Sequence, residues 1–162
     1  MGGILGNQIP LFLQHKLTLT ASSVDKLTQI DKAAAEMGVI ATVHLKIDTG
    51  MERIGVHYYS ADTLLEAALT CQHCHVEGIY THFANSDAAD LSSARLQLER
   101  FKQVLSFYEK RGWNGRLCAT LPTPAPFCSC PKPISTWCGR ALSSMAFIPR
   151  RKCAKRLRCG RH

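Results

Sequence analysis

Val43, Leu45 and Ile47 alternate with His44, Lys46 and Asp48, the period-two signature of a strand with one apolar face and one face of ionisable groups. The apolar pattern stops after Asp48, where Thr49-Gly50-Met51-Glu52-Arg53-Ile54-Gly55 reads as a polar, glycine-punctuated loop. The spacing thus predicts a strand over residues 41–47 that ends abruptly in a charged turn. Upstream, residues 17–21 form a short β-prone run. Ser22 or Ser23 then caps a helix whose apolar positions Val24, Leu27, Ile30, Ala34 and Met37 recur at helical spacing, with Gly38 as the stop. The cycle repeats downstream. Ser60 caps a helix through Leu64, Leu65, Ala68 and Leu69, and residues 76–82 form the next strand. Ser92 or Ser93 opens a helix with Leu98, Phe101, Leu105 and Tyr108 on one face and Gly112 at its end. Strands alternating with helices predict βα units and a parallel sheet. The fold class is α/β, about half of a (β/α)8 barrel of the TIM type, followed by an irregular tail.

In a half-buried sheet the charged face of residues 41–47 would point to water. In a barrel coated by helices the same alternation turns Lys46 and Asp48 inward, near the strand ends where active sites lie. Charges held there need partners or a ligand, and Arg53 on the following loop is one candidate.

Two long motifs carry a family resemblance. HLKIDTGMERIGV, followed by Glu77-Gly78-Ile79-Tyr80-Thr81-His82-Phe83-Ala84-Asn85-Ser86-Asp87, resembles two successive strand ends in the barrel domain of alanine racemase. Ile9-Pro10-Leu11 and Leu17-Thr18-Leu19-Thr20-Ala21-Ser22-Ser23 are similar to the same family, so the resemblance runs over residues 2–116. It implies a homodimeric, cytoplasmic isomerase that uses pyridoxal 5'-phosphate to interconvert L- and D-alanine for peptidoglycan. Matched onto this chain, Arg53 resembles the arginine that contacts the cofactor's phenolic oxygen and the substrate side of the site. Lys46 resembles the lysine that many members carbamylate, making a carboxylate that fixes Arg53. Asp48 would support the same turn, and His82 resembles the histidine beneath the cofactor ring. For Lys46 the simpler alternative is a pairing with Asp48 on the same strand face, and for His82 a satisfied core histidine. Asn85, Asp87 and Asp90 read as turn and cap residues.

The resemblance also implies parts that residues 1–162 do not supply. The lysine that links covalently to the cofactor belongs to a strand expected before Gly2, and the partner's tyrosine to a C-terminal β-domain. No catalytic residue is therefore assigned, and the polypeptide of residues 1–162 is expected to be inactive. A serine or broad-specificity amino-acid racemase of the same fold is the alternative within the class.

Charge divides the chain. Of its 20 basic and 12 acidic residues, residues 117–162 hold 9 basic and none of the acidic ones, so the net +8 lies in the tail. Six of the 8 cysteines lie there too, at Cys118, Cys128, Cys130, Cys138, Cys153 and Cys159. A nucleic-acid-binding tail is disfavoured because cysteines and prolines interrupt every candidate helix and no aromatic residues interleave the cations. This non-catalytic basic module is nevertheless the competing function from another class. The cysteine spacings match no paired zinc knuckle, so no metal site is expected. Cys71-Gln72-His73-Cys74-His75 has haem-attachment spacing, but it sits at a helix end without an export signal. No segment reads as membrane-spanning.

A one-base slip in translation near residues 116–118 explains the tail. Taking the last base of each codon with the first two of the next, Trp137-Cys138 must give Val and Met145-Ala146 must give Gly. Synonymous codons allow residues 119–126 to read HLANSGA, and residues 133–146 to read HFDMVRPGI, one variable residue, then LYG. Both strings resemble the next two strand ends of an alanine racemase. A tail read out of frame has no selected core, and its uncompensated cations repel one another. Hydrogen exchange is expected to be fast throughout residues 120–162, with protection starting upstream of about Trp113. A protected tail whose protection disappears on chelation would overturn this reading in favour of a metal module.

Overall fold

The computed structural model describes residues 3–84 and 90–110, together with the backbone of residues 118–120. Its strands are β1 (Leu19–Ala21), β2 (Ala41–Asp48), β3 (Val56–His57), β4 (Cys74–Tyr80) and β5 (Cys118–Thr120). The helices are α1 (Ile9–Gln14), α2 (Val24–Glu36), α3 (Ala61–Thr70) and α4 (Ser92–Lys110). The strands run β1-β2-β4-β5 in one parallel sheet, with β3 pairing parallel to the end of β2. Each neighbouring pair along the main sheet is joined by a helical crossover or its start, the βα arrangement expected from the sequence.

Period-two patterning decides which face of β2 is covered. Ala41, Val43, Leu45 and Ile47 are buried against the helices. Leu27, Ile30 and Ala34 of α2, Leu64 and Leu65 of α3, and Leu98 and Phe101 of α4 complete that apolar layer. Thr42, His44, Lys46 and Asp48 occupy the opposite, concave face. The register sets Thr20 of β1 and Gly78 of β4 beside His44, and Tyr80 beside Lys46. Glu77 is the extra residue of a bulge, since Val43 pairs with Val76 and His44 with Gly78.

The helix ends follow local chemistry. Ser23 caps α2 by accepting the Lys26 N–H at 3.1 Å, and Gly38, at φ 64°, ends it in the left-handed conformation. Ser60 stands at the N-cap of α3, but its hydroxyl donates to the His57 carbonyl instead of capping. Asp90 prepares α4, accepting both the backbone N–H and the hydroxyl of Ser92 at 2.9 Å.

Several boundaries differ from the sequence expectation. α1 and β3 were not predicted, β2 runs on to Asp48, and β4 spans Cys74–Tyr80 rather than residues 76–82. Met37 and Leu69, expected on buried faces, are exposed. On α4 the buried face is completed by Val104 and Phe107, with Leu105 half-buried. β5 lies beyond residue 116, where the barrel-like part was expected to end, and pairs with β4. The remaining expectations for the tail, together with Asn85, Asp87 and Gly112, fall outside the described residues.

Candidate active site at the strand ends

Asp48 organises the end of β2. Its Oδ1 accepts the backbone N–H groups of Gly50, Met51 and Glu52 at 2.8, 3.0 and 3.1 Å, and its Oδ2 accepts that of Arg53 at 3.0 Å. The side chain is only 3% exposed. Burial pushes its pKa up, but the four N–H donors outweigh that effect and hold it below the ordinary carboxylate value. The loop so formed returns to its own strand. At Gly55, φ is 122° and an added Cβ would lie 3.0 Å from both the Asp48 nitrogen and the Lys46 oxygen, so a side chain there would displace backbone. Val56 and His57 then pair with Ile47 and Asp48 as β3.

A second set of contacts locks the turn from α4. Arg100 donates to the Thr49 carbonyl at 2.9 Å and stacks 4.6 Å over the Tyr58 ring. The Thr49 and Thr81 hydroxyls, both buried, meet at 2.8 Å and tie the ends of β2 and β4 together. Gln97, 1% exposed, accepts from the Ala84 N–H at 3.1 Å. Arg100 and Gln97 were not foreseen, because helical spacing on α4 gives no hint that these polar positions face the β2 loop.

Lys46 is 6% exposed, and among the described residues no carboxylate lies within ion-pair distance of its ammonium. Instead Nζ sits 4.9 Å over the ring of Tyr80, whose hydroxyl is 3.1 Å from that of Thr20. Asp48 raises the lysine's affinity for its proton, while burial and Arg53 lower it, and the balance is a depressed pKa. The simple Lys46–Asp48 pair is thereby corrected: the carboxylate's oxygens face the loop amides. Tyr80 was not singled out, although its position two residues before His82 was the available signal.

His82 lies two residues beyond β4 and is half-buried. Burial, then Lys46, then Arg53 depress its pKa, which favours the neutral imidazole. Arg53 is exposed and lines an open cleft of about 560 Å³ with Gly3, Ser22, Asp48, Glu52, Ile54, Gly55 and His57. The expected site residues therefore divide. Asp48 and Arg53 share the cleft wall, whereas Lys46 and His82 do not line it but lie close enough for their charges to interact with Arg53. Deeper along the concave face, His44 Nε2 meets Glu77 at 3.4 Å, with burial depressing the imidazole pKa against the opposing pull of the carboxylate.

Parallel βα units with a basic loop at the C-terminal strand ends define part of a barrel-type α/β fold. Residues 1–127 match the family described as Alanine racemase, N-terminal domain. The chain belongs to the alanine racemase family. The alanine racemase of Chlorobaculum tepidum is 42% identical over 107 residues, covering 66% of this chain and 28% of that protein. The alanine racemase of Desulforamulus reducens is 42% identical over 125 residues, covering 74% and 33%. Among solved structures, an alanine racemase of Clostridium difficile 630 superposes with TM-score 0.71 at 26% identity, over 81% of this chain and 34% of that one. The chain thus spans about a third of the length of the relatives it matches.

The Asp48 carboxylate yields a pH prediction. Its folded pKa lies below the unfolded value of about 3.9, so its contribution to stability is complete above that value and is lost as pH falls through the folded pKa. Asp48→Asn keeps one acceptor but turns an amide against the Arg53 N–H, and should cost roughly 2 kcal/mol near neutral pH. Urea unfolding at several pH values checks this: the cost should shrink in acid, and a pH-independent difference would assign the loss to packing.

Proposed function

We propose that this chain carries the cofactor-facing β2 and β4 strand ends of a pyridoxal-phosphate-dependent alanine racemase. The observation that carries the reading is the electrostatic convergence of Lys46, Arg53 and His82 at strand ends whose buried carboxylate, Asp48, is engaged by four backbone amides. Arg53, which among the described residues makes no ion pair and lines an open cleft, suits an anionic cofactor, so the residues present fit pyridoxal phosphate. When bound, that group supplies the electron sink for a carbon that loses its α-proton. The relatives' designation as alanine racemases supports alanine as the substrate. The same reading carries a homodimeric, cytoplasmic enzyme supplying D-alanine for peptidoglycan.

Arg53 would donate to the phenolic oxygen of the cofactor, held there by its own backbone N–H on Asp48. Neutral Lys46 would attack carbon dioxide, forming an N–C bond and releasing a proton to water. The resulting carbamate places a negative charge beside Arg53, where the ammonium is a competing cation. Its depressed pKa supports this role, since only the free amine is nucleophilic. His82, whose depressed pKa favours the neutral imidazole, would contact the cofactor without adding positive charge.

Lys46 is the one lysine on a described strand, and on this reading it serves the arginine rather than the cofactor. The polypeptide of residues 1–162, mixed with pyridoxal phosphate, should accordingly show no lysine-linked cofactor absorbance and no interconversion of alanine enantiomers. Turnover above trace level would refute that assignment.

A second measurement addresses Arg53 in an intact enzyme carrying this loop. Arg53→Ala should lower kcat/KM by about 2–4 kcal/mol of transition-state stabilisation, as for loss of a preorganised charged donor. Unchanged turnover in the surviving folded enzyme would leave Arg53 a purely structural role.

A further inference from the structure

At the opposite end of the strands from Asp48, a second group of reactive side chains meets. Cys71 follows α3, Cys74 opens β4, and Asp31 projects from α2. Their ligand atoms all lie within 4.8 Å of one another, and all three residues are half-buried. Both cysteines are free thiols. The spacing of the two cysteines alone offers half of a metal site; the fold adds a carboxylate from another helix. We propose that Cys71, Cys74 and Asp31 form a binding site for a thiophilic divalent cation of the zinc(II) class, with water in the fourth position.

The geometry favours a metal over a chance cluster. Tetrahedral zinc with bonds of about 2.3 Å to sulfur sets its ligand atoms roughly 3.8 Å apart, so the three groups need to close by no more than about 1 Å. The loop that carries the thiols is already held on both sides. The His73 N–H donates to Asp31 Oδ1 at 2.8 Å, and the His73 carbonyl accepts the Ala41 N–H, also at 2.8 Å. The first of these bonds orients the carboxylate itself, to which Cys74 is also hydrogen-bonded. Cys71 is restrained as well, its thiol donating to the Ala67 carbonyl at 3.3 Å.

Burial pushes both thiol pKa values up, and Asp31 adds to the effect at each, with Cys71 adding further at Cys74. A divalent cation bound between them would displace the thiol protons. The bound ion would clamp α2, the end of α3 and the start of β4 together at the N-terminal face of the sheet.

The test uses the full chain with Cys118, Cys128, Cys130, Cys138, Cys153 and Cys159 replaced by Ser, so that Cys71 and Cys74 are the remaining thiols. Under reducing conditions, cobalt(II) should bind one equivalent with a sulfur-to-cobalt charge-transfer band that zinc(II) abolishes, and zinc(II) should raise Tm. Adding Cys71→Ser with Cys74→Ser should remove the band. Asp31→Asn keeps a carbonyl for the His73 N–H but not the charge, and should retain the band while weakening binding at least about ten-fold. Absence of the band in protein whose circular dichroism matches the parent chain would overturn the proposal. Cobalt affinity unchanged by Asp31→Asn, or by loss of both thiols, would overturn it equally.

Discussion

The acceptance of four consecutive-loop amides by Asp48 is the constraint on which the strand-end site depends. A strand that ends in a glycine-rich loop would ordinarily leave its amides to water and its arginine to a wide rotamer population. Here one buried carboxylate draws the N–H groups of Gly50, Met51, Glu52 and Arg53 to itself. The turn requires left-handed backbone at Glu52, φ 53°, whose strain is offset by the amide that the same residue gives to Asp48. Gly55 then permits the chain to pass against β2 closely enough for β3 to form. Arg53 is therefore placed by its backbone hydrogen bond to Asp48, and its side chain lines the cleft.

The parts of this arrangement that were legible in the sequence are those governed by periodicity. Alternation assigned Val43, Leu45 and Ile47 to the helix-covered face and Lys46 and Asp48 to the other; the first three join the apolar core, while Lys46 and Asp48 are buried outside it. Helical spacing with Ser23 and Gly38 located α2 to within a residue or two. What periodicity does not encode is pairing across long separations. Arg100 on the Thr49 carbonyl, the Thr49–Thr81 hydroxyls and Asp31 against the Cys71–Cys74 loop all depend on crossovers that bring distant segments together. β3 was missed for a different reason, because its two residues lie too close to the loop to show any alternation.

Lys46 illustrates how the two levels combine. The strand pattern sets it on the concave face, but the loop decides its chemistry by taking both oxygens of the carboxylate that would otherwise neutralise it. An aromatic ring offers partial compensation, and Tyr80 is itself fixed by Thr20 from the neighbouring strand. The charged ammonium is consequently less favourable than in water, and Arg53 makes it less so. A group that becomes anionic on modification would relieve both effects together.

The two ends of the sheet answer the same difficulty in opposite ways. At the C-terminal ends, Arg53 lines a cleft beside a carboxylate that is occupied with the backbone, an arrangement suited to an anion. At the N-terminal ends, two thiols and a carboxylate accumulate, an arrangement suited to a cation. In barrel folds the first end hosts chemistry and the second stability. A metal clamp at the second would act on the start of β2 and β4, since Ala41 both pairs with Cys74 and donates to His73. The bulge at Glu77 separates those starts from the pairing of Lys46 with Tyr80 at the other end of the same two strands.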